Sequence, residues 1–136
     1  MEAAMAVRSW KRKSRAILAA AVAGVMGIGS HPARGDLQWD PGLTPLTPSG
    51  GAGTWDTSTL NWSNGATDVV WPNNTGAIFG GATGGAVTIN TGTGVTATNL
   101  IFNTGGYSVA GNIGADTLTL SGGGITVTNA ADSASI

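Results

Sequence analysis

The chain has no cysteine among its 136 residues, a single histidine, and no lysine or arginine after Arg34. Each absence removes a class of chemistry. Without thiols there is no disulfide framework and no thiolate nucleophile, so an exported domain of this size has to be held by apolar burial and backbone ladders. Without basic side chains after Arg34, that stretch cannot neutralise a phosphate backbone or dock on anionic lipid headgroups, which excludes nucleic acid as a partner. The one histidine, His31, and the one glutamate, Glu2, both precede residue 35. Beyond them no Ser–His dyad and no Schiff-base lysine can be assembled.

Six aspartates make up the acidic groups after Arg34: Asp36, Asp40, Asp56, Asp68, Asp116 and Asp132. Two facing carboxylates could in principle hydrolyse a glycosidic bond. These six fall in turns with no shared spacing and read as solvated turn residues, so the chain is expected to be no enzyme, with no catalytic residue, cofactor or metal. Helical periodicity is also missing after the leader.

What is present begins with that leader. Five of the six basic residues lie between Arg8 and Arg15, and an apolar run from Ala16 to Gly29 follows directly. A positive segment before a short apolar run is the pattern of a secretory signal, too short to span a bilayer comfortably, although an uncleaved anchor is the alternative. Small residues at Ala33-Arg34-Gly35 place cleavage after Gly35, with Gly29 the second choice. Residues 1–35 are therefore expected to form a signal helix that engages the secretion machinery. No pair of adjacent arginines marks a twin-arginine signal.

Residues 36–52 follow as a Pro/Gly-rich lead-in. Pro41, Pro45 and Pro48 fall within eight residues, a density that prevents a helix and any central strand, so the segment reads as an extended linker. Residues 53–136 are different in kind. Short runs in which threonine and small residues alternate with aliphatic ones recur, each cut by glycine: 77–81, 86–89, 99–102, 106–111, 117–120 and 124–127. That is the period of strands with one buried face. Sandwich, barrel and solenoid all fit short even strands. Corners rich in Gly, Thr and Asn, and faces almost free of charge, favour a solenoid. The expected fold is all-β, a parallel β-helix with three strands per coil and a repeat near twenty residues.

Three tryptophans crowd the start of this stretch: Trp55, Trp62 and Trp71. Asn64-Gly65 is a turn dipeptide, and Trp62 and Val69 flank it as in a hairpin. Large rings at a first rung can cover the open end of an apolar stack, as terminal repeats must. The sharper alternative is that Trp55, Trp62 and Trp71 form an exposed platform for a glycan or surface ligand.

The order Gly53-Thr54-Trp55, Asn61-Trp62, Val70-Trp71, Ala77-Ile78-Phe79-Gly80-Gly81, Leu100-Ile101-Phe102 and Gly106-Tyr107-Ser108-Val109-Ala110-Gly111 resembles the autotransporter-associated β-strand repeat proteins. The resemblance covers roughly residues 53–136 and rests on the paired tryptophans, the Phe-Gly-Gly step and the Phe…Gly-Tyr run. It implies a secreted or surface-displayed passenger segment, built as a right-handed parallel β-helix and acting as a spacer or stalk in the envelope of a Gram-negative-type bacterium. Family members often end in an outer-membrane barrel. This sequence stops at Ile136 in mid-pattern, as an N-terminal portion or fragment would, and an unpaired last coil would invite self-association by β-edge stacking.

The other motifs read as structural. The glycine clusters lack the lysine of a P-loop and the helix of a dinucleotide site. Gly111 to Thr119 resembles one copy of a calcium-binding nonapeptide, but a lone copy offers too few oxygens, and Asp116 reads as a turn residue. Asn61-Trp62-Ser63 and Asn73-Asn74-Thr75 fit the glycosylation sequon, which has no meaning in a bacterial envelope.

Overall fold

The computed structural model describes residues 35–129 and 132–136. The expected signal helix lies outside the described residues, apart from Gly35. The described part is all-β: β1 (Leu37–Trp39), β2 (Gly53–Trp55), β3 (Trp62–Ser63), β4 (Asp68–Val69), β5 (Thr75–Phe79), β6 (Ala86–Ile89), β7 (Val95–Phe102), β8 (Tyr107–Gly111), β9 (Leu118–Leu120), β10 (Ile125–Val127) and β11 (Ala134–Ser135).

These strands make two sheets with mixed pairing. One runs β10-β7-β5-β1-β3-β4, with β9 also on β7; the other runs β11-β8-β6-β2. Every pairing in the second sheet is parallel, and so are β1–β5, β5–β7, β7–β9 and β7–β10. Antiparallel pairing is confined to β1–β3 and β3–β4. The expected hairpin is there, with Trp62 directly opposite Val69.

The parallel registers have a narrow step. Val87 sits opposite Val109, Ala77 opposite Leu100, Val95 opposite Leu118, and Leu100 opposite Ile125. Side-chain hydrogen bonds repeat the interval: Asn112 Nδ2 to Asn90 Oδ1 joins residues 22 apart, Thr104 Oγ1 to the Gly81 carbonyl 23, Thr128 Oγ1 to Asn103 Oδ1 25, and the Tyr107 hydroxyl to the Gly80 carbonyl 27. The first step is longer, since Gly53 pairs with Val87 and Leu37 with Ala77. The extra residues between β2 and β5 are the ones that build the β3–β4 hairpin.

Burial follows the alternation in the sequence. In β7, Val95, Ala97, Leu100 and Phe102 point inward, and the alternation slips one residue at Thr98-Asn99. Against it, β5 advances from Thr75 to Ala77 while β7 advances from Ala97 to Leu100, so β7 carries one extra residue as a bulge. There the strand turns a corner, and its two halves pair with different strands, Val95–Ala97 with β9 and Leu100–Phe102 with β10.

The lead-in is not a linker, which corrects the expectation for residues 36–52. Leu37–Trp39 is a strand between β5 and β3, with Leu37 and Trp39 in the core. The prolines do not forbid it, because β1 ends before Pro41. The loop after it then returns to the body. Gly50 bridges Thr83, and the Ala82 N–H donates to the Ser49 carbonyl. Gly81 turns at φ +94°, and a Cβ there would meet the Ser49 carbonyl, so the loop can lie close only over a glycine.

Candidate functional site: the tryptophan-filled end

The aromatic residues form one cluster at the β3–β4 end of the fold. β1 delivers Trp39, β2 Trp55 and β3 Trp62, and Trp71 follows β4; all four are buried, none above 1% exposed. Trp62 meets Trp39 edge to face at 5.1 Å and Trp55 at 5.0 Å. Trp71 meets Trp55 at 4.9 Å and an interplanar angle of 85°. Phe79 links this group to Phe102, stacked at 4.9 Å and 13°, and Tyr107 packs beside both.

The structure therefore brings Trp55, Trp62 and Trp71 together, but inside. Neither their burial nor their angles suit a sugar, which needs exposed faces lying in one plane, and the expected platform is corrected to a core. The physical reason lies in the hairpin. With β3 and β4 laid antiparallel over β1, the apolar interior below would be open at that end unless large side chains filled it, and an indole buries about 150–250 Å². Trp39, in the stretch expected to be a linker, is a full member. The alternation Leu37-Gln38-Trp39 was the available signal.

The indole nitrogens record how far the rings are from water. Trp39 Nε1 donates to the Gly51 carbonyl at 2.9 Å, and Trp71 Nε1 donates to Asn73 Oδ1 at 3.1 Å and to the Thr96 carbonyl at 3.3 Å. Trp55 Nε1 and Trp62 Nε1 are buried with no acceptor. Two unpaired N–H groups each cost stability, which the packing of four indoles has to offset.

The carboxylates divide in two. Asp56 is a turn residue, accepting from the Ser58 and Thr59 N–H groups. Asp40 and Asp116 are buried, contrary to the expectation of solvated turn aspartates. Asp116 accepts from the Thr91 N–H at 2.8 Å, the Gly92 N–H at 2.6 Å and the Ile113 N–H at 3.2 Å, tying its own turn to one a full register step away. Asp40 accepts from the Thr44 and Ser49 N–H groups and from both hydroxyls. Burial pushes all three carboxyls up, but these hydrogen bonds outweigh it and hold Asp40, Asp56 and Asp116 below the ordinary carboxylate value. Asp68, on β4, goes the other way: burial and the neighbouring Asp40 charge push it up. Among the described residues no three His, Cys, Asp or Glu side chains group as metal ligands.

Asn61 is nearly buried, with its amide donating to the Thr54 carbonyl at 2.7 Å, so the first sequon is a structural asparagine. Outside the aromatic core, two shallow concavities open on the surface. One, of about 380 Å³, lies beside the hairpin between Leu37, Val69, Val70, Pro72 and Thr75; the other, of about 320 Å³, is bordered by Gln38, Pro48, Ile78, Asn103 and Thr104. The chain matches no family model, no curated protein and no solved structure.

Proposed function

We propose that residues 35–136 are the first coils of a parallel β-helix, exported by the segment before them, which serves as a closed-ended spacer or stalk of an autotransporter-like surface protein and carries out no catalysis. The observation that carries this reading is the parallel register step of 22 to 27 residues that recurs from β5 onward. Backbone ladders, the Asn112–Asn90 and Thr128–Asn103 side-chain pairs and the Asp116 turn contacts all join residues one step apart. A stack whose ladders join each strand to the one a register step away is quasi-one-dimensional, and its length grows with each repeat. The two ends differ. At one, the β3–β4 hairpin lies antiparallel across β1; at the other, β9, β10 and β11 each have one neighbour.

Duplicating residues 95–117 in place tests the stalk. One added coil should lengthen the particle by about 4.8 Å in small-angle scattering and leave the β circular-dichroism signal per residue unchanged. A duplication that leaves the length unchanged, or unfolds the protein, removes the β-helical reading. Export is tested separately, by fusing residues 1–35 to a reporter that is active only outside the cytoplasm.

A second reading, a module that contacts glycans or another surface, is favoured by the apolar concavity beside the hairpin, where Val70 is 38% exposed. Contact there would not involve the indole faces. Val70→Asp should then abolish adhesion to a glycan-coated surface without lowering the melting temperature, and unchanged adhesion would end this reading.

A further inference from the structure

We propose that Asp40 and Asp68 share one proton, and that this proton latches the β3–β4 hairpin onto the loop following β1. Asp40 comes directly after β1 and is wholly buried. Its Oδ1 accepts from the Ser49 N–H at 3.0 Å, from Thr44 Oγ1 at 3.1 Å and from Ser49 Oγ at 3.2 Å, whereas Oδ2 accepts only the Thr44 N–H, at 2.6 Å. One lone pair of Oδ2 is therefore unused. Asp68 opens β4, opposite Ser63, and its Oδ1 is buried with no donor. Ser63, opposite it, reaches the loop after β1 at the Pro45 carbonyl, and the charge that faces Asp68 there is that of Asp40.

Two carboxylates are both acceptors and cannot bond to each other without a proton between them. Among the described residues no donor reaches Asp68 Oδ1. Ser63 Oγ, the hydroxyl opposite Asp68, already donates to the Pro45 carbonyl at 2.6 Å and accepts from the Gly65 N–H. The hydroxyls of Thr44 and Ser49 are taken up by Asp40 Oδ1 and by the Thr47 and Gly50 carbonyls. No lysine or arginine follows Arg34 in the sequence.

The titratable groups of the surrounding elements are few. β1 is preceded by Asp36, which faces Gly76 and Asn99 instead. β3 brings only Trp62 and Ser63, the loop brings Asp40, and the Tyr107 hydroxyl reaches the loop's far end at Gly51. Burial and the Asp40 charge raise Asp68, while the loop donors keep Asp40 low, so the proton resides on Asp68 and is donated to Asp40.

The folded state thus binds one more proton than the unfolded chain between the ordinary carboxylate value of 3.8 and the raised value of Asp68. The latch is complete below that interval and is lost as pH rises through it. Above it, a second negative charge stands against a buried carboxylate, and the hairpin loosens over the tryptophan core.

Carbon-detected NMR titration of the aspartate carboxyls in the full chain tests this, together with melting temperatures from pH 3.5 to 8 for wild type and Asp68→Asn. An asparagine amide donates to Asp40 at every pH. The variant should therefore melt a few degrees above wild type at pH 8 and level with it near pH 4, and in wild type Asp68 should titrate above Asp40. An Asp68 that titrates at or below the ordinary value, or a variant whose pH profile parallels wild type, overturns the proposal. So does calcium that raises the melting temperature of wild type and not of Asp68→Asn, because a cation would then occupy the place of the proton.

Discussion

Trp39 and Trp62 face each other twice over: they are directly opposite in the antiparallel β1–β3 ladder, and their rings meet edge to face at 5.1 Å. The backbone pairing that closes the sheet and the side-chain contact that closes the core are therefore one interaction. A strand pair of two residues would be too short to persist alone; the indoles hold it there.

Trp62→Ala should accordingly unfold the closed end. Removing a fully buried indole from this cluster is expected to lower stability by about 3–5 kcal/mol, with Trp62→Phe costing much less. Denaturant melts followed by far-ultraviolet circular dichroism measure both. Equal effects of the two substitutions would show that the ring does not pack as described.

The burial of the rings has an optical consequence. Emission from Trp39, Trp55, Trp62 and Trp71 should lie to the blue of exposed tryptophan and resist quenching by acrylamide, since none is more than 1% exposed. The measurement is made on Trp10→Phe, which removes the one tryptophan of the leader. Red-shifted, readily quenched emission would put the rings back on the surface.

Acid should destabilise the fold through Asp40, Asp56 and Asp116. Hydrogen bonds hold all three below the ordinary value of 3.8, so the unfolded chain takes up protons first as pH falls. Their contribution is complete above 3.8 and is lost as pH drops through the lowered folded values. Asp116→Ala should reduce the stability at pH 6 and flatten this acid loss, since the Thr91 and Gly92 N–H groups then have no acceptor. An unchanged acid limb in Asp116→Ala would contradict it. The Asp68 latch adds a decline of opposite sign at higher pH.

Two glycines make a controlled pair. Gly81 turns at φ +94° against the Ser49 backbone, whereas nothing lies within contact distance of a Cβ at Gly122. Gly81→Ala should cost more than about 1 kcal/mol, and Gly122→Ala close to nothing. Similar melting temperatures for the two variants would refute the close docking of the loop.

Most strands from β5 onward were legible because their signal is local; the first half of β7, Val95–Thr98, and the two-residue β11 were not read. Alternating aliphatic and hydroxyl residues bounded by glycine located β6, β8, β9 and β10 nearly to the residue, and Asn64-Gly65 located the hairpin. The misses share one cause: burial supplied by residues distant in sequence. β1 looked like a linker because three prolines follow it, yet β5 on one side and β3 on the other make it a strand. Asp40 and Asp116 looked solvated because their donors, in the folded loop at Ser49 and in the turn at Thr91-Gly92, are adjacent only after folding.

The same division holds for the tryptophans. Sequence alone determined that the stretch after Arg34 is all-β and carries no positive charge, and that large rings gather near Trp62, because composition and period-two alternation are properties of neighbouring residues. Only the tertiary structure decided that those rings face inward, that Trp39 joins them, and that Asp40 and Asp116 are buried against donors from other turns. Which face of a strand is buried, and what a carboxylate confronts, depend on partners a register step or more away.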